Sequence, residues 1–260
     1  MACRYSKFIL GGRVKMRIFY CSAMLATLAS VGVVNAEEKS ESKPENKLNI
    51  WRGGVELGIV NTTGNTKTET INAKARAQID QVSWRHTVTY ESLSSSDQSA
   101  TTAERYALNG QSDYKFGEHN YFFMMLNYED DRFSGYDYRV SEALGYGHRF
   151  IDDASVTLDL EMGPGARQSK LDDGSNEDEI TLRGAAKLAW KLSDTSSLME
   201  NLSSELGKDT TITKSVTALT AQINGSLATK ITYTIKNTSK VPVGVHKTDT
   251  ETAVTLVYSF

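Results

Sequence analysis

Along most of this chain apolar and polar residues take turns. In TINAKARAQID, residues 70–80, the odd positions hold Ile71, Ala73, Ala75, Ala77 and Ile79, and the even ones Asn72, Lys74, Arg76, Gln78 and Asp80. A 3.6-residue period would mix the two sets around a helix, whereas a period of two sends them to opposite faces of a β-strand. WRGGVELGIV (51–60) reads the same way, as does TETAVTLVYSF (250–260), where Phe260, Tyr258, Leu256, Val254 and Thr252 share a face. Nine further stretches alternate with varying clarity: 82–91, 104–116, 119–129, 136–150, 154–166, 179–191, 196–206, 214–227 and 230–238. With the terminal 249–260 they predict about twelve strands. Two blemishes stand out: Glu200 falls on the face of Leu198 and Leu202, and Glu142 similarly interrupts 136–150.

Between these segments, tight connections alternate with longer polar ones. NTTGNT (61–66), SLSSSDQSATT (92–102), DDRFSG, QSKLDDGSNED, GKDTTIT and SKVPVGVHKT are expected at one end. Asp80-Gln81, FGEH, FIDD, LSDT and a short ATK (228–230) are expected at the other. Strands that run up and down with long loops at one end are the pattern of a transmembrane β-barrel, with both chain ends on the short-turn side. The aromatics are expected in two belts at the water–lipid interfaces. Trp51, Trp84, Phe116, Tyr121, Phe150, Trp190, Tyr233, Tyr258 and Phe260 fall near short turns; Tyr90, Tyr106, Tyr128, Tyr136 and Tyr138 fall near the long loops. Closure would let 250–260 pair with the first strand, and Gly53, Gly54 and Gly58 would let the barrel curve at that seam.

The first 36 residues change the compartment. Arg4, Lys7, Arg13, Lys15 and Arg17 precede the mostly apolar IFYCSAMLATLASVGVV and the small-residue VNA, which reads as a secretory signal peptide over 1–36. Residues 37–48, charged and containing Pro44, read as a flexible periplasmic leader, and 49–260 as the barrel. Removing the leader's five basic residues leaves 24 Lys+Arg against 32 Asp+Glu, a formal charge of −8. That acidity argues against nucleic-acid binding. Both cysteines, Cys3 and Cys21, lie in the signal peptide, so the exported part has no disulfide. Past that peptide no stretch reaches the roughly 18 apolar residues of a membrane helix.

The run WRGGVELGIVNTTGNT (51–66), directly after a signal peptide and a short leader, resembles the opening of the salt-induced outer-membrane protein family, whose members begin with a W-x-G-x-x-E-L-G strand and a T-x-G-N-T turn. The resemblance implies an outer-membrane barrel in a Gram-negative bacterium and carries over no catalytic residue. The family name points to salt stress.

Candidate chemistry lies on the polar face. Arg52, Glu56, Lys74, Arg76, Arg85, Arg105, Asp113, Arg139, Asp159, Glu161, Arg183 and Lys187 are expected to face the lumen. There they would either line a narrow pore for small ions or polar solutes, or pair off and fill the interior. Leu256, Tyr258 and Phe260 form a terminal signature addressed to the barrel-assembly machinery. Outer-membrane lipid and lipopolysaccharide are the other expected partners. The oligomeric state is open, and no cofactor or metal is expected. A lipid-modifying enzyme would need His86, on the apolar face of its strand, to meet a serine hydroxyl and a carboxylate or amide. The acidic LDDGSNEDE (171–179) lacks the spacing of a helix-loop-helix calcium site, leaving at most a weak divalent-ion contact with lipopolysaccharide phosphates.

Overall fold

The computed structural model describes residues 50–63, 68–97, 100–131, 134–242 and 244–260. The expected signal peptide and the leader segment 37–48 lie outside them. Twelve strands follow one another: β1 Ile50–Thr63, β2 Thr68–Asp80, β3 Trp84–Asp97, β4 Ala100–Lys115, β5 Asn120–Asp131 and β6 Tyr136–Asp152 form the first half. β7 Val156–Leu171, β8 Asn176–Lys191, β9 Ser196–Gly207, β10 Thr211–Gln222, β11 Leu227–Thr238 and β12 Thr248–Ser259 form the second. Each strand pairs antiparallel with its sequence neighbours, and β12 pairs with β1, giving one closed barrel. Among the described residues there is no helix.

Closure removes the free sheet edges that an open sheet would have to protect. At the seam the register runs from Gly54↔Ser259 to Thr63↔Thr250, and Gly53 and Phe260 exchange both backbone hydrogen bonds at 2.9 Å. β1 and β12 approach closely there. A Cβ on Gly58 would lie 2.3 Å from the Val254 carbonyl oxygen, so only glycine fits. A second close approach bends the wall between β6 and β7. A Cβ on Gly145 would sit 2.2 Å from Met162 O, and one on Gly163 2.1 Å from Leu144 O. The β6–β7 pairing is interrupted at that point, between Ala143↔Gly165 and Tyr146↔Met162.

The outward face is apolar and uncovered. Ile180 is 84 % exposed and Ile71 72 %, and Leu57, Ile59, Leu144 and Met162 each exceed 60 %. A contiguous belt of this size is far beyond what a water-soluble surface carries, and it matches the lipid-facing band of a membrane barrel. Trp51, Trp84, Phe150, Trp190 and Tyr258 are exposed at the short-turn end of this band, while Tyr233, expected with them, is exposed midway along β11. Tyr90, Tyr128 and Tyr138 are exposed toward the other end.

Three expectations need correcting. Tyr121 and Tyr136 do not belong to the belts: they are 4 % and 5 % exposed and point inward. Tyr121 packs with Phe123, Met125 and Ala143 inside the barrel. The long loops are mostly strand. β3 runs to Asp97 and β4 resumes at Ala100, with a bulge at Ser95/Ser96, because ladder hydrogen bonds can continue past the membrane where both faces are polar. Lastly, the turn between β10 and β11 is not at ATK. It is at Ile223–Ser226, where Asn224 Oδ1 accepts hydrogen bonds from the backbone N–H groups of Ser226 and Leu227, each at 3.0 Å. This Asn-Gly-Ser turn chemistry returns Ala228, Thr229 and Lys230 to a strand.

Candidate functional site

Because strand side chains alternate, register settles which residues share the lumen. Glu56 stands opposite Lys74, Lys74 opposite Glu91, Arg85 opposite Asp113, Asp159 opposite Lys187 and Arg183 opposite Glu205. All twelve sequence-nominated residues lie on this inward face. The structure gathers them into two charged layers separated by an apolar patch, with a cavity at the short-turn mouth.

The layer nearer the short turns centres on Glu161, whose side chain is fully shielded from solvent. Its Oε1 accepts from Lys187 Nζ at 2.6 Å, Gln111 Nε2 at 2.8 Å and the Tyr121 hydroxyl at 3.0 Å. Arg85 Nε donates to Asp113 Oδ2 at 2.7 Å and its guanidinium lies 5.3 Å from the Tyr121 ring centre. Arg149 grips Asp159 through two bonds of 2.7 and 3.1 Å. These contacts join β4, β5, β7 and β8 across the interior. Two buried polar atoms here, Glu161 Oε2 and Arg183 Nε, have no hydrogen-bond partner within the protein. Buried groups of this kind require water, so the geometry favours a hydrated interior.

The layer nearer the long-loop end spans the lumen. Lys236 on β11 pairs with Glu129 on β5, six strands away and thus diametrically opposite in a ring of twelve. Arg105 on β4 holds Glu251 on β12 in a two-pronged contact, Nη2 to Oε2 at 2.9 Å. Lys74 pairs with Glu91, and, outside this layer at the edge of the short-turn cavity, Lys230 pairs with Glu56 at 2.7 Å. Arg167 is held between Glu179, Glu205 and the Thr210 carbonyl. Lys214 faces Glu91, Glu129 and Glu251 without a direct ion pair. Arg139 stacks over Tyr136 at 4.2 Å rather than on a carboxylate. Above this layer the connection 239–247 reaches the opposite rim, where Pro242 and Val245 crowd the positive-φ Gly135 of the β5–β6 turn.

The sequence reading therefore found the cations more completely than their partners. It missed Glu91, Glu129, Arg149, Arg167, Glu179, Glu205, Lys214, Lys236 and Glu251, all of which share the inward parity and could have been found by it. Lys230 was hidden by the misplaced turn.

The other two candidates are incomplete among the described residues. His86 does meet a serine: its Nδ1 lies 2.9 Å from Ser112 Oγ on β4, outside the barrel, with Trp84 stacked at 5.5 Å. Among the described residues no carboxylate or amide completes the set, and the ladder occupies the nearby backbone N–H groups. In 171–179 the acids disperse. Glu179 turns inward to Arg167, while Asp173 folds onto its own turn, accepting from Ser175 N and Oγ at 2.8 and 2.6 Å. Those bonds hold the Asp173 carboxyl below the usual aspartate range. Among the described residues no group of three or more His, Cys, Asp or Glu could hold a metal.

Similar architectures occur among solved outer-membrane proteins. The NanC porin matches with a TM-score of 0.55 at 7% identity, covering 78% of this chain and 98% of that one. The KdgM porin, in complex with disordered oligogalacturonate, gives 0.46 at 12% identity, over 80% and 99% of the two chains. The translocator domain of the autotransporter NalP from Neisseria meningitidis gives 0.48 at 14%, over 84% and 90%. The fold is thus that of the outer-membrane porin barrels. No curated protein matches the sequence. A family model does match, over residues 55–260, and the chain belongs to that family, described as a protein of unknown function, DUF481.

Proposed function

We propose that this barrel resides in the outer membrane as a narrow passive pore for small ions or polar solutes, working without catalysis and serving the envelope under salt or osmotic stress. One observation carries the reading: an apolar, uncovered exterior encloses an interior of charged side chains, including buried polar atoms with no hydrogen-bond partner in the protein. The likeness in fold to the NanC porin supports passage rather than chemistry. Export would rest on the segment 1–36, and assembly on Leu256, Tyr258 and Phe260, the first two of which project outward from β12. Lipid and lipopolysaccharide are the surroundings in this reading.

A second reading has its own observation. Lys236–Glu129 and Arg105–Glu251 cross the lumen beneath the 239–247 connection, which suits a structural barrel that does not conduct. Planar-bilayer recording of the refolded exported chain (37–260) at two salt concentrations separates the two. Stable current steps whose ion selectivity shifts when Arg76 and Arg105 are neutralised support the pore. A folded, heat-modifiable barrel that never conducts overturns it.

A further inference from the structure

The short-turn mouth holds a cavity of about 530 Å³, lined by residues of β1, β2 and β12 and by the β10–β11 turn. Its charge is unlike that of the layers above. There most cations touch a carboxylate, Arg139, Arg183 and Lys214 being the exceptions among the described residues. Here Arg52 makes no ion pair among the described residues, and Arg76 makes only a 3.0 Å bond from Nη2 to Gln78 Oε1. Besides the terminal residue Phe260, whose backbone is tied to Gly53, the lining holds one carboxylate, Glu56, and Lys230 holds it at 2.7 Å. Two guanidiniums are therefore left with donor capacity, in a protein that is acidic overall.

The backbone builds a cradle between them. Arg52 stands opposite Gln78 and Gly54 opposite Arg76, which makes Arg52 and Arg76 diagonal neighbours on the inward face. Gly54, between them, has no side chain to fill the floor. On its other side it stands opposite Ser259, whose hydroxyl also lines the cavity. Gln78 spends its oxygen on Arg76, which leaves its N–H₂ free to donate. Two planar five-donor forks, both exposed, an amide donor and a hydroxyl thus line one cavity. Guanidinium forks match the paired oxygens of carboxylates and phosphates, and such charge-assisted contacts are the strong ones.

We propose that this vestibule is a binding site for small oxyanions, solutes bearing a carboxylate or phosphate group, with Arg52 and Arg76 as the paired anchors and Ser259 and Gln78 as neutral donors. The site deepens the pore reading: it would concentrate anions at the short-turn mouth and bias permeation toward them. It rests on that reading only in supposing a wet lumen.

Equilibrium binding of inorganic phosphate, and separately of acetate, to the full chain refolded in detergent tests it without any need for conduction. Titrations are run at constant ionic strength with chloride as the competing background. The expected result is saturable binding that weakens at least tenfold in Arg52→Gln/Arg76→Gln, and less than twofold in Lys208→Gln, an exposed turn residue outside the cavity. Gly54→Ala, whose new Cβ would meet only Tyr258 O at 3.3 Å and Ser259 Oγ at 3.7 Å, should fold and weaken binding by narrowing the floor. Wild-type protein that binds neither anion, or a double variant that binds as well as wild type, overturns the site. Binding without conductance keeps the site and discards the pore; conductance without binding does the reverse.

Discussion

Two arcs of the same barrel use the same alternation for different ends. On β4–β8 the inward positions are packed and shielded: Tyr121, Phe123, Met125 and Ala143 form an apolar patch, and Asp113, Asp159 and Glu161 are each less than a tenth exposed. On β10–β12, β1 and β2 the inward row is largely small or hydroxylated, with Gly54, Gly58, Ala218, Ala228, Thr232 and Thr255, and it leaves a cavity where Arg52 and Arg76 stand apart from carboxylates. One arc is a small core rolled into a wall, and the other is a wet surface folded inward. Apart from Gly58, where the seam admits only glycine, the cost of an inward substitution should therefore follow the arc it falls on more than the residue type it changes.

The largest effect is expected at the bend of the packed arc. Gly145→Val or Gly163→Val would drive a side chain into a backbone carbonyl, which cannot yield as a side-chain tip can. A loss of at least about 3 kcal/mol, or no folding at all, should appear in urea unfolding and in heat-modifiable gel migration. Gly54→Ala on the open arc should cost less than about 1 kcal/mol by the same assays. Equal losses at the two sites would erase the distinction between the arcs.

Next come the carboxylates. Glu161→Ala strips three donors of their common acceptor and leaves Lys187 facing a shielded interior, for which about 3 kcal/mol is expected. Glu56→Ala releases one partner, Lys230, into the wetter arc and should cost about 1 kcal/mol. If Glu56 proves the more costly, the open arc is better packed than its cavity implies. A third comparison joins the arcs. Arg105→Gln/Glu251→Gln removes both halves of a lumen-crossing pair, so neither charge is stranded. Stability should change by about 1 kcal/mol or less while single-channel conductance rises several-fold. Unchanged conductance would place the constriction elsewhere, with Lys236–Glu129 the next pair to remove.

Much of this was legible in the sequence, and the rest fails for identifiable reasons. Period-two alternation gave the strands and their inward faces wherever the two faces differ, as in 70–80. It could not orient HNYFFMMLNYE, because Phe122, Met124 and Leu126 face lipid while Tyr121, Phe123 and Met125 face the interior, and both rows are apolar. Tyr121 was therefore read as a belt residue. Lys230 was lost to an error of four to five residues in placing one turn, expected at 228–230 and found at 223–226. The lumen-crossing partners had no local signal at all. That Glu129 meets Lys236 follows from closing the ring, which sets residues 107 positions apart against each other.

The smallest effect is expected on the outside, at the blemish the alternation exposed. Glu200 faces outward on β9 between Leu188 and Thr217, the one half-buried carboxylate in a stretch of β9 and β10 that also presents Ser204, Thr213 and Ser215. A lone carboxylate facing lipid is unfavourable, though acids cost less there than bases and less again away from the bilayer midplane. This one is compensated locally, since Ser215 Oγ donates to it at 2.6 Å and Thr217 donates as well. Ser204 and Thr213 satisfy each other at 3.0 Å. Replacing the acid by leucine removes a desolvation cost and two hydrogen bonds together, and those terms nearly cancel. Glu200→Leu in lipid vesicles should thus shift stability by no more than about 0.5–1 kcal/mol. A loss above about 2 kcal/mol would show that the polar stretch ties β9 to β10 as a packed network, and that the open arc has its own core on the lipid side.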